Sequence, residues 1–164
     1  MRDGREVANF ILDYADENGI PVTNLGLQKI TYFCHVWFLV STNKPLIKQN
    51  FEAWEFGPVL PYLYRVFNRF GEKKITTRAT KLDHKTGNNV IARIDIDKTE
   101  EKLLEGIVSF YSRLSVNQLV EQSHITGGPW HEVWHHIGKV NPGMQISNQD
   151  ILNFYASNKR LFIL

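Results

Sequence analysis

Leu27-Gln28-Lys29-Ile30-Thr31-Tyr32-Phe33-Cys34-His35-Val36-Trp37-Phe38-Leu39-Val40-Ser41 is the stretch around which the rest of the chain arranges itself. From Ile30 to Val40 apolar residues fall on nearly every side. A helix hydrophobic all round has no face to give to water and belongs in the middle of a fold. A buried strand would be equally apolar, so periodicity does not decide between them, but length does. Residues 27–41 are too many for a typical strand and make about four helical turns. Gln28, Thr31 and His35 are spaced i, i+3, i+7 and share one face. Once buried, each needs a hydrogen-bond partner or costs about 1–3 kcal/mol. Thr23 or Asn24 is the expected cap of this helix.

Outward from that helix the chain is punctuated. Asn43-Lys44-Pro45 ends it. Residues 51–56 alternate and predict a short strand. Gly57-Pro58 predicts a new helix with Pro58 at its first position, where the missing N–H costs nothing. Val59, Leu63, Val66, Phe67 and Phe70 supply its apolar stripe, and Gly71 its stop. Toward the N-terminus, Asp3 and Glu6 have capping-box spacing ahead of the stripe Val7, Phe10, Ile11, Tyr14, with Gly19 and Pro21 ending that helix. After Gly71 the period changes to two. Residues 75–80 and 89–96, joined by a turn-rich 84–88, predict a β-hairpin. A lone hairpin is marginal in water, so residues 52–56 are expected as its third strand.

Asp97 with Glu100 and Ser115 with Gln118 repeat the capping device, Pro129 opens a further helix, and Ser147 caps the last. Ile146 and Ile151 flank that last cap as a hydrophobic staple, with Asp150 at the third helical position. The expected fold class is α+β, mainly helical: about six helices around a buried central helix, with a small antiparallel sheet of hairpin plus short strand. Residues 1–164 are expected to form a single domain.

The 164 residues carry 43% apolar and 22% charged residues, ordinary for a soluble globular protein. The charged start, Met1-Arg2-Asp3-Gly4-Arg5-Glu6, predicts no signal peptide, and no apolar run reaches the length of a membrane span. The single cysteine, Cys34, sits among core residues and reads as a small packing residue in a reducing compartment, the cytoplasm. The net charge of +2 is uneven. Arg65, Arg69, Lys73, Lys74, Arg78, Lys81 and Lys85, against Glu72 and Asp83, give this segment +5 and leave −3 for the remainder. Such a patch steers an acidic partner or nucleic acid, or simply keeps a hairpin solvated and unpaired.

His131-Glu132-Val133-Trp134-His135 matches H-E-x-x-H, two imidazoles at i, i+4 with a carboxylate as general base for zinc-bound water. Gly138 even extends the match toward the metzincin pattern. The third ligand position is Asn141, however, and no Glu follows Glu132. Pro129 also confines His131 to the first turn of a short helix. Neither a metal nor a cofactor is expected. The Ser123-His124 pair is adjacent in sequence, so its side chains are expected to point different ways on a helix. No Gly-rich phosphate loop, G-x-S-x-G or C-x-x-C is present.

Leu27-Gln28-Lys29-Ile30-Thr31-Tyr32 leading to Trp37, then Pro45-Leu46, Glu52-Ala53-Trp54-Glu55-Phe56-Gly57-Pro58-Val59-Leu60-Pro61 and Leu63-Tyr64, and finally His124 with Gly128-Pro129-Trp130, resemble the Panacea domain of the SocA-like antitoxins. The matches span most of the chain and depart at Gly26 and Cys34, outside the A-W-x-x-G-P-V block. The resemblance implies a small cytoplasmic, non-enzymatic antitoxin. Its partner would be a co-encoded toxin protein that it binds and neutralises, with a protease or chaperone as a further partner to which the toxin is delivered.

Trp54, Tyr62, Tyr64 and Arg65 gather around Gly57-Pro58 in sequence, and Trp, Tyr and Arg are the types that anchor interfaces. With Lys73 and Lys74 they are the expected partner-binding residues; the alternative is that Trp54 and Tyr64 are simply core. A nucleic-acid-binding regulator using the basic hairpin is the second reading, and a zinc hydrolase the third. No membrane contact is expected.

Overall fold

The computed structural model describes residues 1–137 and 141–158. Two helices open the chain, α1 (Gly4–Glu17) and α2 (Asn24–Thr42). Asp3 caps α1 by accepting from the Arg5 N–H, and the Glu6 carboxylate accepts from the Asp3 N–H in return. Gly19, at φ 68°, lets the chain leave α1, and Thr23 Oγ1 accepts from the Gly26 N–H to start α2. Asn43 ends α2 in the left-handed region at φ 55°.

Every residue from 26 to 39 is buried, so α2 is the interior element that its sequence predicts. It touches α1, the later helices α3 (Pro61–Phe67), α4 (Lys98–Tyr111), α5 (Val116–Ser123) and α7 (Asn148–Ser157), and the strands Phe51–Trp54 and Gly57–Val59. Phe33 stacks on Tyr111 with ring centroids 4.2 Å apart, and Trp37 Nε1 donates to the Tyr111 hydroxyl at 2.6 Å. Helix α6 (Pro129–Trp134) lies between α5 and α7 in the chain. The fold is α+β and mostly helical.

Two polar members of the α2 face find partners. Gln28 Oε1 accepts from the Leu60 N–H at 2.9 Å, and His35 lies between the Ile47 N–H (3.2 Å from Nδ1) and Asn148 Oδ1 (2.8 Å from Nε2). Cys34 is fully buried, and burial pushes its thiol pKa up, away from thiolate chemistry.

Strands β1 (Phe51–Trp54) and β2 (Gly57–Val59) form a tight antiparallel pair, in register Glu52 to Val59 and Trp54 to Gly57. Among the described residues the strands β3 (Thr80–Leu82) and β4 (Asn89–Ile91) pair only with each other, while β5 (Gln145–Ile146) adds to the other side of β1. The segment 52–56 therefore does not extend the hairpin. Gly57 turns back at φ 101° and hands β1 a nearer partner, at a lower loop-closure cost. The hairpin is supported instead by a side chain. Buried Asn9 on α1 donates through Nδ2 to the carbonyls of Ala79 and Ala92, and its Oδ1 accepts from the Ala79 N–H. The first hairpin strand is also shorter and later than residues 75–80, because Ile75 spends its N–H on the Val22 carbonyl.

Pro58 lies in β2 rather than at a helix start. The helix begins at Pro61, since a proline drives the residue before it out of the α region, and Leu60 sits at φ −95°, ψ 104°. The remaining N-caps are as the sequence predicts, except that the Asp97 box is only half made, the Glu100 carboxylate pairing with Arg2 instead. Asp97 accepts from the Thr99 and Glu100 N–H groups, Ser115 and Gln118 form a reciprocal box, and Ser147 accepts from the Asp150 N–H between buried Ile146 and Ile151. Among the described residues no helix is long and apolar enough to cross a membrane.

Candidate functional site

The turn joining β1 to β2 is held from beneath by side chains of three helices. Trp130 Nε1, on α6, donates to the Trp54 carbonyl at 2.8 Å. His124, which caps α5, places Nε2 3.2 Å from the Glu55 carbonyl oxygen. Lys29 Nζ, on α2, donates to the Pro58 carbonyl at 2.8 Å. Three backbone acceptors within five residues are thus satisfied from three separate elements. His124 and Trp130 also pack ring on ring, centroids 3.6 Å apart.

Lys29 is the unusual member, with no exposed surface. Burial lowers its pKa to about 7, because an ammonium out of water loses its hydration and no carboxylate pairs with it among the described residues. Gly57 fits only as glycine. A Cβ there would lie 2.5 Å from Ser123 Oγ and 2.9 Å from Lys29 Cε. Ser123 and His124 do not diverge as a regular helix would make them. Helix α5 ends at Ser123, so His124 folds back and brings Nδ1 to 3.2 Å from Ser123 Oγ.

Above this support lies an aromatic surface. Phe56, at the tip of the turn, is 58% exposed. Trp54 is half-buried, donates from Nε1 to Glu52 Oε2 and meets the Tyr64 ring edge-on at 5.3 Å. Tyr64 is exposed, as are Arg65 and Val66 beside it on α3. Of the residues expected from sequence, Trp54 and Tyr64 come together, and Arg65 follows Tyr64 on α3. Tyr62 points elsewhere, its hydroxyl lying against Gly4 at the start of α1, where burial pushes its pKa up. Sequence reasoning missed Lys29 and Phe56, and gave His124 no role here.

Three of the seven cations of the basic segment are spent on α1. Arg78 binds Asp13 and Asp16, both at 2.7 Å, Lys74 binds Asp16 at 2.8 Å, and Lys81 pairs with Glu6. Arg69 donates to Thr77 Oγ1 and lies over the Phe70 ring. Lys73, Lys85 and Arg65 are exposed and without an ion pair among the described residues. A freely solvated cationic hairpin is therefore not what forms. The acids at positions 6, 13 and 16 of α1 were legible in the sequence, but not their apposition.

In the H-E-x-x-H stretch, α6 is only six residues long and His135 is its cap rather than part of it. The rings of His131 and His135 lie 4.5 Å apart, and His131 Nδ1 is 3.5 Å from Glu132 Oε1. Among the described residues no three His, Cys, Asp or Glu side chains gather as a metal site would need. Gly138 lies outside the described residues.

Residues 27–131 match the family described as antitoxin SocA-like, Panacea domain. The chain is similar to antitoxin SocA of Caulobacter vibrioides (strain NA1000 / CB15N), 44% identical over 128 residues that cover 78% of this chain and 68% of that protein. No solved structure matches. The matched range contains Lys29, the β1–β2 turn, His124 and Trp130.

Proposed function

The chain belongs to the SocA-like antitoxin, Panacea-domain family, and we propose that it binds a co-encoded toxin protein directly and neutralises it, with the surface of the β1–β2 turn as the contact. The observation that carries the choice of surface is the turn itself. Phe56 and Trp54 stand on a backbone pinned by Lys29, His124 and Trp130, and Tyr64 packs edge-on against Trp54 from α3. Preorganised aromatic anchors lose little entropy on binding, and burying a lysine for that purpose is otherwise a costly arrangement.

On this reading the domain spans residues 1–164, acts in the cytoplasm as a binding module rather than an enzyme, and passes the complex to a protease or chaperone. A nucleic-acid role for the hairpin is weakened by the pairing of Arg78, Lys74 and Lys81 with acids of α1. The test is co-expression with the adjacent toxin gene and titration of the purified proteins. Phe56→Ala and Arg65→Ala, at exposed positions, should keep the fold, weaken toxin binding by about tenfold or more and fail to rescue growth. Full affinity and rescue in both variants would remove this surface from the reading. No binding by the wild-type protein would remove the reading itself.

A further inference from the structure

The hairpin β3–β4 has an open side. Ala92 N–H bonds the Ala79 carbonyl, and Asp83 N–H bonds the Asn88 carbonyl. With the register Thr80 to Ile91, Lys81 to Val90 and Leu82 to Asn89, the hydrogen-bonded pairs are Ala79–Ala92, Lys81–Val90 and Asp83–Asn88. The N–H and C=O groups of Asn89 and Ile91 must then face away from β3, and among the described residues no third strand flanks β4. Side-chain alternation places Leu82 and Ile91 together on the outer face, since Ala79 and Ala92 are buried against α1. Leu82 is 51% and Ile91 47% exposed. The cations flanking this edge are Lys85 and Arg93, both exposed and without an ion pair among the described residues. The carboxylate at the hairpin tip, Asp83, is occupied by the Lys85 N–H and the Thr86 hydroxyl.

Edge strands in soluble proteins are usually protected by inward charges, prolines or covering elements. Here Lys81, the one charge within the paired strands, turns inward to Glu6, and the outer face is uncharged, with Leu82 and Ile91 beside Thr80 and Asn89. We propose that the β4 edge of Asn89–Ile91 receives an extended segment of the toxin as an added strand, apolar where it meets Ile91 and acidic where it passes Lys85 and Arg93. This rests on the reading that the chain binds a toxin. Main-chain hydrogen bonds to the edge would supply register, and the flanking cations direction. A second copy of this chain fits less well. Two copies paired along β4 would bring Lys85 and Arg93 of each to the same seam, like charge beside like, whereas an acidic segment is attracted there.

The test is Ile91→Pro. Its N–H points away from β3, so proline removes the edge donor without breaking the hairpin ladder. Lys85→Glu with Arg93→Glu tests the charges, and Phe56→Ala serves as the comparison at the other surface. With the purified toxin as probe, Ile91→Pro and the double reversal should each weaken binding about tenfold. Amide exchange at residues 89 and 91 should slow in the wild-type complex. Wild-type affinity in both variants, with exchange unchanged, would overturn the edge proposal and leave the toxin reading standing. Toxin binding absent in the wild type would overturn both. A wild-type dimer in sedimentation that Ile91→Pro makes monomeric would overturn it in favour of self-pairing.

Discussion

Lys29 Nζ donates to the Pro58 carbonyl oxygen across 2.8 Å, and both residues are buried. The bond joins the central helix to the strand that follows the exposed Phe56, so the most interior element of the fold fixes its most prominent aromatic side chain.

That contact makes stability depend on pH. The folded protein holds the Lys29 pKa at about 7, whereas an unfolded chain leaves lysine near ~10.4. Between these values the unfolded state binds more protons, so the unfolding free energy rises with pH; below the folded value the ammonium is buried charged and the penalty is fully present. Wild-type stability should climb from about pH 7 to about pH 8.5, before ionisation of Cys34 and the tyrosines in the unfolded chain acts in the opposite sense. Lys29→Met should lack the climb. Urea midpoints for both proteins across this range check it, and parallel profiles would refute it.

Gly57→Ala should be among the most damaging small substitutions. Gly57 sits at φ 101°, and an added Cβ would lie 2.5 Å from Ser123 Oγ. Backbone strain of this kind costs about 1–3 kcal/mol before any clash is counted. Combining it with Ser123→Ala should recover only part of the loss, because the backbone term remains. Denaturant unfolding of the single and double variants measures both parts.

Trp37 is 2% exposed and donates to the Tyr111 hydroxyl at 2.6 Å. Trp37→Ala should cost about 3–5 kcal/mol, or prevent folding outright. Trp37→Phe keeps much of the packing and should cost less. A denaturant midpoint unchanged in Trp37→Ala would make α2 a peripheral helix.

The cations of the 65–85 segment should not respond alike to reversal. Lys73 is exposed and unpaired among the described residues, so Lys73→Glu should stay within about 0.5 kcal/mol of wild type. Arg78 bridges Asp13 and Asp16, and Arg78→Glu would face both with a like charge. A loss of about 1 kcal/mol or more is expected, shrinking as salt screens the repulsion. Thermal melts at low and high salt separate the two variants.

The sequence by itself determined the features whose causes lie within one or two turns of chain. Asp3 with Glu6, Thr23, Ser115 with Gln118, and Ser147 cap helices because cap and recipient are two or three residues apart. The burial of α2 followed from a helix with no polar face to expose. Trp54, Tyr64 and Arg65 were legible as candidate contacts by residue type alone. Tertiary structure decided what depends on elements far apart in the chain. Which strand β1 would pair with depended on the reversal at Gly57 and on Asn9 offering the hairpin a substitute for a third strand. A lysine in an apolar helix can extend its stem and reach water. Only the β1–β2 turn laid across α2 shows that Lys29 instead ends on the Pro58 carbonyl, 29 positions away. The same holds for the basic segment. Its charge was countable, but Coulomb attraction depends on distance, and the distances from Arg78 to Asp13 and Asp16 exist only once β3–β4 packs on α1.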